Sequence, residues 1–256
     1  VVFEDEEFTR KNYANLLQAI CSVETLPQAE PISSHNVCIH GDKVYKCYKD
    51  STSRSIKYAG YLPNAKMFCN NTVLVYDKIE GTHNPQNIKQ VFCILKHLCN
   101  LWELNLCHGD IRLANMIFAD NYEDSNLIDF DFCGKDGEAE YPGGYNTDIL
   151  DTVRHKEATP WNLLKIEHDW FSMQSILRWY ECEDEKELWQ SLLNEETTWD
   201  KVIELISNCS IDKLDATLTP TDNNPFKDTG AKSNTILQKR KRPNTSQVSP
   251  PSKRIK

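Results

Sequence analysis

The chain of 256 residues contains no apolar run approaching the ~20 residues that cross a bilayer, so no membrane span is expected. Its opening, Val1-Val2-Phe3-Glu4, offers neither the basic region nor the apolar core of a secretory signal. No CxxC pair occurs among its ten cysteines, and no histidine cluster accompanies them along the sequence. A zinc motif is therefore not expected. Without a secretory signal, and with a chain long enough to build a core unaided, five disulfides are not expected either. The cysteines read as reduced, mostly buried thiols. Internal repeats are lacking. Residues 231–256 contain eight Lys or Arg and no acid, so against a total of −9 the remaining residues 1–230 carry −17. A body that acidic does not attract nucleic acid through its general field, which leaves only weak binding through the tail.

What is present divides into four stretches. Residues 1–35 carry an amphipathic pattern in Phe8, Tyr13, Leu16, Leu17 and Ile20, and read as an N-terminal helical extension. Residues 36–81 hold short apolar runs. Two of them, 36–40 and 43–48, flank Gly41-Asp42 as a hairpin would, and a third covers 72–76. Residues 82–216 are dominated by helical periodicity. Asn84 and Pro85 read as the cap and first position of a helix whose stripe is Ile88, Val91, Phe92, Leu95, Leu98 and Trp102. Further helices are expected over 161–179, 184–193 and 199–206. Between them, 116–118 and 127–130 read as paired strands joined by the polar segment 120–125. Residues 217–256 lose apolar density, gain prolines and read as a disordered basic tail. The fold class expected is α+β, with a reduced β-rich first lobe and a helical second lobe.

One constellation stands out. His108-Gly109-Asp110-Ile111-Arg112-Leu113-Ala114-Asn115 contains H-x-D-x-x-x-x-N, and Asp129-Phe130 follows 14 residues after the asparagine. These residue types suit phosphoryl transfer. The transferred group is anionic and needs cations and exact placement more than covalent chemistry. Asp129 and Asn115 supply hard oxygen atoms for Mg²⁺. Asp110 can orient an attacking hydroxyl and accept its proton. Arg112 can neutralise the phosphate, or simply pair with a neighbouring carboxylate.

The motifs resemble those of the protein-kinase-like superfamily, with its H-R-D-x-x-x-x-N loop and D-F-G triplet. The likeness extends over roughly residues 36–210. It implies that VLVYDKIEG, residues 73–81, runs into a hinge, with Tyr76 as gatekeeper and Asp77 to Ile79 offering backbone groups to adenine. It implies that Lys46 grips the α- and β-phosphates, although Lys49 is a rival. It also implies that Asp169, in His168-Asp169-Trp170-Phe171-Ser172, braces the catalytic loop. ATP and Mg²⁺ follow as the expected substrate and cofactor, and protein Ser/Thr hydroxyls as the expected acceptors. The wording HGDIRLAN, LIDFDFCGKDGEAEYPGGYN and HDWFSM is similar to divergent Crinkler-type kinase-like domains of fungi and oomycetes.

Departures from the family pattern leave other readings open. No glycine-rich loop precedes Lys46, no Glu lies between Lys49 and Thr72, and no A-P-E triplet closes the segment after Asp129. Gly109 replaces the usual Arg and Asp131 the usual Gly, as in aminoglycoside and choline kinases, so a small-molecule kinase is one alternative. A pseudokinase serving as a nuclear binding module is another. Lys239-Arg240-Lys241-Arg242 and Lys253-Arg254-Ile255-Lys256 resemble a bipartite nuclear import signal, which makes an import receptor an expected partner and the nucleus the expected location.

Overall fold

A computed structural model describes residues 37–48, 53–68, 71–143 and 153–225. The expected N-terminal helix and the basic clusters at 239–256 lie outside them.

The first part is a four-stranded antiparallel sheet. Strands β1 (Val37–His40) and β2 (Lys43–Cys47) form the expected hairpin, and Gly41 at its tip has φ of 59°, which glycine adopts without strain. A four-residue helix, α1 (Arg54–Lys57), and a 3₁₀ turn (Ala59–Tyr61) come next. Strands β3 (Lys66–Phe68) and β4 (Val73–Asp77) complete the order β1-β2-β4-β3. The pair β2 and β4 forms the centre, and Val44, Tyr45, Cys47, Val73, Leu74 and Tyr76 are buried. The sequence pattern did not disclose α1, the 3₁₀ turn or β3, because each is too short to show a period.

The second part is built on α2 (Ile88–Glu103). All six residues of the expected stripe are buried, and so are Ile94 and Leu101, so the helix is covered on nearly every side. Its cap is not at Asn84. Asn87 takes the cap position with extended backbone, its side chain accepts the Gln90 N–H, and the Gln90 side chain returns to the Asn87 N–H. This reciprocal box satisfies two end donors, which Asn84 followed by Pro85 cannot match. The Gln90 amide also donates to the buried Ala119 carbonyl at 2.7 Å.

After α2 the chain makes β5 (Leu106–Cys107), a 3₁₀ turn (Leu113–Asn115), and the short hairpin β6 (Met116–Ile117) with β7 (Asn126–Leu127), close to expectation. Strand β8 (Gly134–Lys135) returns to pair with β5. Helix α3 covers Ile166–Leu177 and starts five residues later than the periodicity suggests. Trp161 is largely exposed with φ of 70°, and Leu163 bridges back to Glu140 in extended form. Strand β9 (Tyr180–Glu181), α4 (Lys186–Leu193) and α5 (Trp199–Asn208) follow, and α5 packs on α2 and α3 through buried Val202 and Ile206.

The body does not end at residue 216. Strand β10 (Thr219–Pro220) pairs with β9, the Leu218 N–H donates to the Gln86 carbonyl at 2.9 Å, and the Thr221 N–H donates to the Trp179 carbonyl at 2.8 Å. Leu218 and Asn224 are buried. Thin apolar density hid this segment, since one buried leucine and a few backbone bonds anchor it.

Cys47, Cys93, Cys99, Cys107, Cys133, Cys182 and Cys209 are free thiols, all but Cys209 buried, and among the described residues no helix is long and apolar enough to cross a membrane. Burial pushes the Cys93 thiol up to about 11 and the Cys99 thiol up to about 12, and raises Cys107 and Cys133 further.

A chain ending at residue 216 should be less stable than one ending at residue 225 by at least about 2 kcal/mol, the burial of one leucine. Urea unfolding of the two measures the difference.

Candidate active site

The site starts on the central strands. Lys46 stands opposite Leu74 and Val44 opposite Tyr76, so all four side chains share one face of the sheet. Lys46 is buried, and its ammonium lies 2.5 Å from Asp129 Oδ1 and 2.7 Å from Asp131 Oδ2. Burial works against its charge, but the two carboxylates prevail and hold its pKa above the ordinary lysine value. For Asp129, burial likewise opposes ionisation and Lys46 outweighs it, leaving its pKa below the usual range. Asp131 moves up instead, through burial and the neighbouring Asp129 charge. One ammonium therefore balances two acids. Lys49, the rival candidate, lies outside the described residues.

The missing glutamate has a structural answer. Helix α1 brings Ser55, whose hydroxyl donates to Asp131 Oδ1, and Arg54, whose Nη1 donates to the Phe132 carbonyl at 3.1 Å. Helix α1 thus grips the Asp129 segment directly, without a partner for Lys46. Asp131 is an anchored carboxylate here and not a solvated acid.

The ring of Phe130 lies between two others. Tyr61 stacks on it at 5.7 Å between centroids, and His108 approaches at 5.0 Å. Asp129 itself adopts a left-handed backbone (φ 66°), which turns the chain between β7 and Phe130.

The loop from His108 to Asn115 is fixed from beneath. Asp169, buried on α3, accepts the His108 N–H at 2.6 Å and the Gly109 N–H at 2.9 Å. Burial pushes its carboxyl up to about 7 against the pull of these two donors. The His108 ring spans the loop, with Nε2 donating to the Ile128 carbonyl at 3.1 Å and Nδ1 accepting the Asp110 N–H at 3.3 Å. Full burial lowers its pKa, so it serves as a neutral strut. Gly109 has φ of 81°, and a Cβ there would stand 2.9 Å from Leu164 Cδ2 and 3.0 Å from both Cβ and O of Phe132. The backbone of the Asp129 segment crosses too closely for a side chain.

Asp110 and Asn115 are bonded to each other. The Asn115 side chain donates to the Asp110 carbonyl at 2.9 Å and to Asp110 Oδ2 at 2.8 Å. The Asn115 carbonyl accepts the Ile128 N–H at 2.9 Å, next to Asp129. Asn115 thus bonds Asp110 through its side chain and the residue before Asp129 through its backbone, while Asp129 bonds Lys46. Two arginines also attend Asp110. Arg112 Nε lies 3.0 Å from Oδ2, near enough for an ion pair but not aligned as a hydrogen bond, and Arg154 Nη2 donates to Oδ1 at 2.8 Å. Arg154 was not anticipated; it follows a Gly- and Pro-marked stretch where periodicity carries no information.

At the far edge, Tyr76 is buried, and burial raises its hydroxyl pKa despite nearby Lys46. Asp77 is held by Lys43 and Asn64, its N–H donates to the Pro63 carbonyl at 3.0 Å, and the Lys78 N–H donates to the Asp42 carbonyl at 2.8 Å. Those two amides are therefore committed within the protein, which narrows the backbone groups this stretch can offer. Ile79 is half-buried beside them.

The donor set suits a hard divalent cation. Asn115 spends its NH₂ on Asp110, which turns the amide oxygen toward other use, and the Asp129 and Asp131 side chains remain about a third exposed, at 34% and 36%. No protein-family profile matches the chain, and no curated protein matches it. Among solved structures it is similar to the kinase PK-1 of Cydia pomonella granulovirus, with 14% identity, a TM-score of 0.47, and coverage of 78% of this chain and 99% of that one.

Gly109→Ala should lower stability by about 1–3 kcal/mol, from the left-handed backbone and the three close contacts together. Thermal unfolding by circular dichroism measures this; an unchanged midpoint would show that the crossing is slack.

Proposed function

We propose that the chain is an ATP-dependent phosphotransferase of protein-kinase-like fold that phosphorylates Ser or Thr hydroxyls of proteins. The observation that carries this reading is the pairing of Lys46 on the sheet with Asp129 on a loop, whose preceding residue bonds the backbone of Asn115, itself bonded to Asp110. Residues from two separate loops and a strand meet where a triphosphate and its acceptor would lie.

In the reaction, the acceptor oxygen attacks the γ-phosphorus, the bond from that phosphorus to the β,γ-bridging oxygen breaks, and ADP departs. Asp110 orients the hydroxyl and takes its proton. Arg112 offsets charge on the phosphoryl oxygens, and Lys46 turns from its carboxylates toward the α- and β-phosphates. Asn115 and Asp129, with Asp131 beside them, would hold Mg²⁺, which supplies charge neutralisation for the phosphates. Tyr76, Asp77 and Ile79 would border the adenine. Catalysis of this kind rests on placement, and the double grip of Asp169 on the loop backbone provides it.

A second reading, transfer to a small alcohol, is favoured by the close crossing at Gly109 and by the second anchored acid, Asp131. Incubation with γ-labelled ATP, protein mixtures and small alcohols separates the two. Label confined to small molecules would end the protein-kinase reading.

Asp110→Asn should reduce transfer by at least about 10²-fold while nucleotide binding persists. Asp129→Asn should weaken Mg²⁺-dependent nucleotide binding as measured by calorimetry. Retention of full biological effect by both variants would instead favour a non-catalytic binding role.

The proposal extends to location. The clusters Lys239–Arg242 and Lys253–Lys256 would engage an import receptor and carry the chain into the nucleus. The full chain, fluorescently tagged, should concentrate in nuclei and lose that bias when residues 239–242 are changed to alanine; equal distribution of both would remove the import role.

A further inference from the structure

The sequence shows no metal motif outside the Asp129 region, yet the fold brings together two histidines and a glutamate from between β8 and the start of α3. His155, Glu157 and His168 each bring a ligand-type atom within 4.8 Å of the others. The two imidazoles stack at 4.6 Å between centroids, and His168 Nε2 lies 3.9 Å from Glu157 Oε2. His168 is only 3% exposed, and its Nε2 is buried with no hydrogen-bond partner while facing this gap. Buried polar atoms are rarely left so, and a missing ligand is one of the few explanations. Its other nitrogen is already fixed, because Tyr141, itself buried, places its hydroxyl 3.2 Å from Nδ1. With the Nδ1 hydrogen on the tyrosine oxygen, Nε2 presents a lone pair, the arrangement by which an outer hydrogen bond orients a metal-binding imidazole.

We propose that His155, Glu157 and His168 bind a divalent cation of the zinc class, which clips the segment around Arg154 to the start of α3. Two imidazoles and one carboxylate suit zinc and disfavour magnesium or calcium, which prefer all-oxygen sets. Tetrahedral bonds of about 2.0–2.2 Å put ligand atoms about 3.3 Å apart. The side chains must therefore draw together modestly, and the exposed Glu157 has the freedom to do so. Three existing contacts give way. The imidazole stack must open, because the in-plane lone pairs of rings 17° from parallel do not converge on one ion, and the partly exposed His155 is the ring that turns. Lys165 Nζ, 3.4 Å from Glu157 Oε2, must release the carboxylate. The Glu157 N–H donates to His155 Nδ1 at 3.2 Å, and this bond must break, either to free Nδ1 for the cation or to let the ring proton move to Nδ1 so that Nε2 binds. Three protein ligands leave one position for water.

The consequence rests on the reading of Asp110 given above. Arg154 immediately precedes His155 and bonds the Asp110 carboxylate. His155 also meets the Phe171 ring edge-on at 5.2 Å, and His168 directly precedes Asp169, the brace of the catalytic loop. A bound cation would tie the segment that carries Arg154 to the helix that carries Asp169.

The test uses the full chain without an affinity tag, stripped with chelator, dialysed against zinc and assayed by elemental mass spectrometry without nucleotide. One equivalent of zinc should remain on the wild type. Glu157→Gln and His155→Ala, both at positions at least partly exposed, should each weaken binding about tenfold or more while circular dichroism stays unchanged. With Co²⁺ in place of zinc, ligand-field bands should appear without thiolate charge transfer, which excludes the cysteines as ligands. Absence of retained metal, equal retention by the variants, or a thiolate spectrum would each overturn the proposal. Because metal content is read without ATP, this outcome is independent of whether the chain proves to be a kinase.

Discussion

A single ammonium group governs the centre of this protein. Lys46 is buried on the middle strand of a sheet, and two carboxylates from a distant loop close on it. A lysine desolvated to this degree and left unpaired would tend to lose its proton, and two neighbouring acids left unpaired would tend to regain theirs. Together, Lys46 and Asp129 hold their charges, while Asp131 ionises less readily beside them. Removing one member of such a group leaves the others imperfectly compensated. The same contact joins the sheet to the helical part, so the ion cluster fixes the relative placement of the two halves of the site.

Around this cluster, backbone positions matter as much as side chains. The loop that carries Asp110 is held by its amides on Asp169 and by the two nitrogens of His108. The Phe130 ring fills the space between His108 and Tyr61. The glycine at 109 suits this construction, because its backbone is left-handed and Leu164 and Phe132 would crowd a Cβ there at 2.9–3.0 Å. What looks in the sequence like a substitution of arginine by glycine is, in space, the clearance for a neighbouring strand of backbone.

The parts of the fold legible in the sequence were those with strong local signals. The Gly41-Asp42 hairpin and the buried stripe of α2 follow from turn chemistry and helical period, and each is found in place; of the motif residues, Asn115 and Asp110 are bonded to each other. Other features depend on encounters across the chain. Ser55 meeting Asp131 spans 76 positions, and Arg154 meeting Asp110 spans 44. No local period encodes such meetings. The helix cap was misplaced because Asn84-Pro85 and Asn87–Gln90 both look like starts, and only the reciprocal bonding of the second decides. The segment from 217 to 225 was mistaken for tail because backbone pairing leaves no mark on composition.

Two of the free thiols occupy instructive positions. Cys107 immediately precedes His108, Cys133 closes the turn that begins at Asp129, and both are completely covered. Burial holds them as neutral SH groups, so oxidants and alkylating agents, which consume thiolate, find almost nothing to react with while the loops are seated. Their sulfur atoms are therefore chemically silent witnesses to the closed state. Any modification at either position records a moment when the loop beside it had swung away from its mounting.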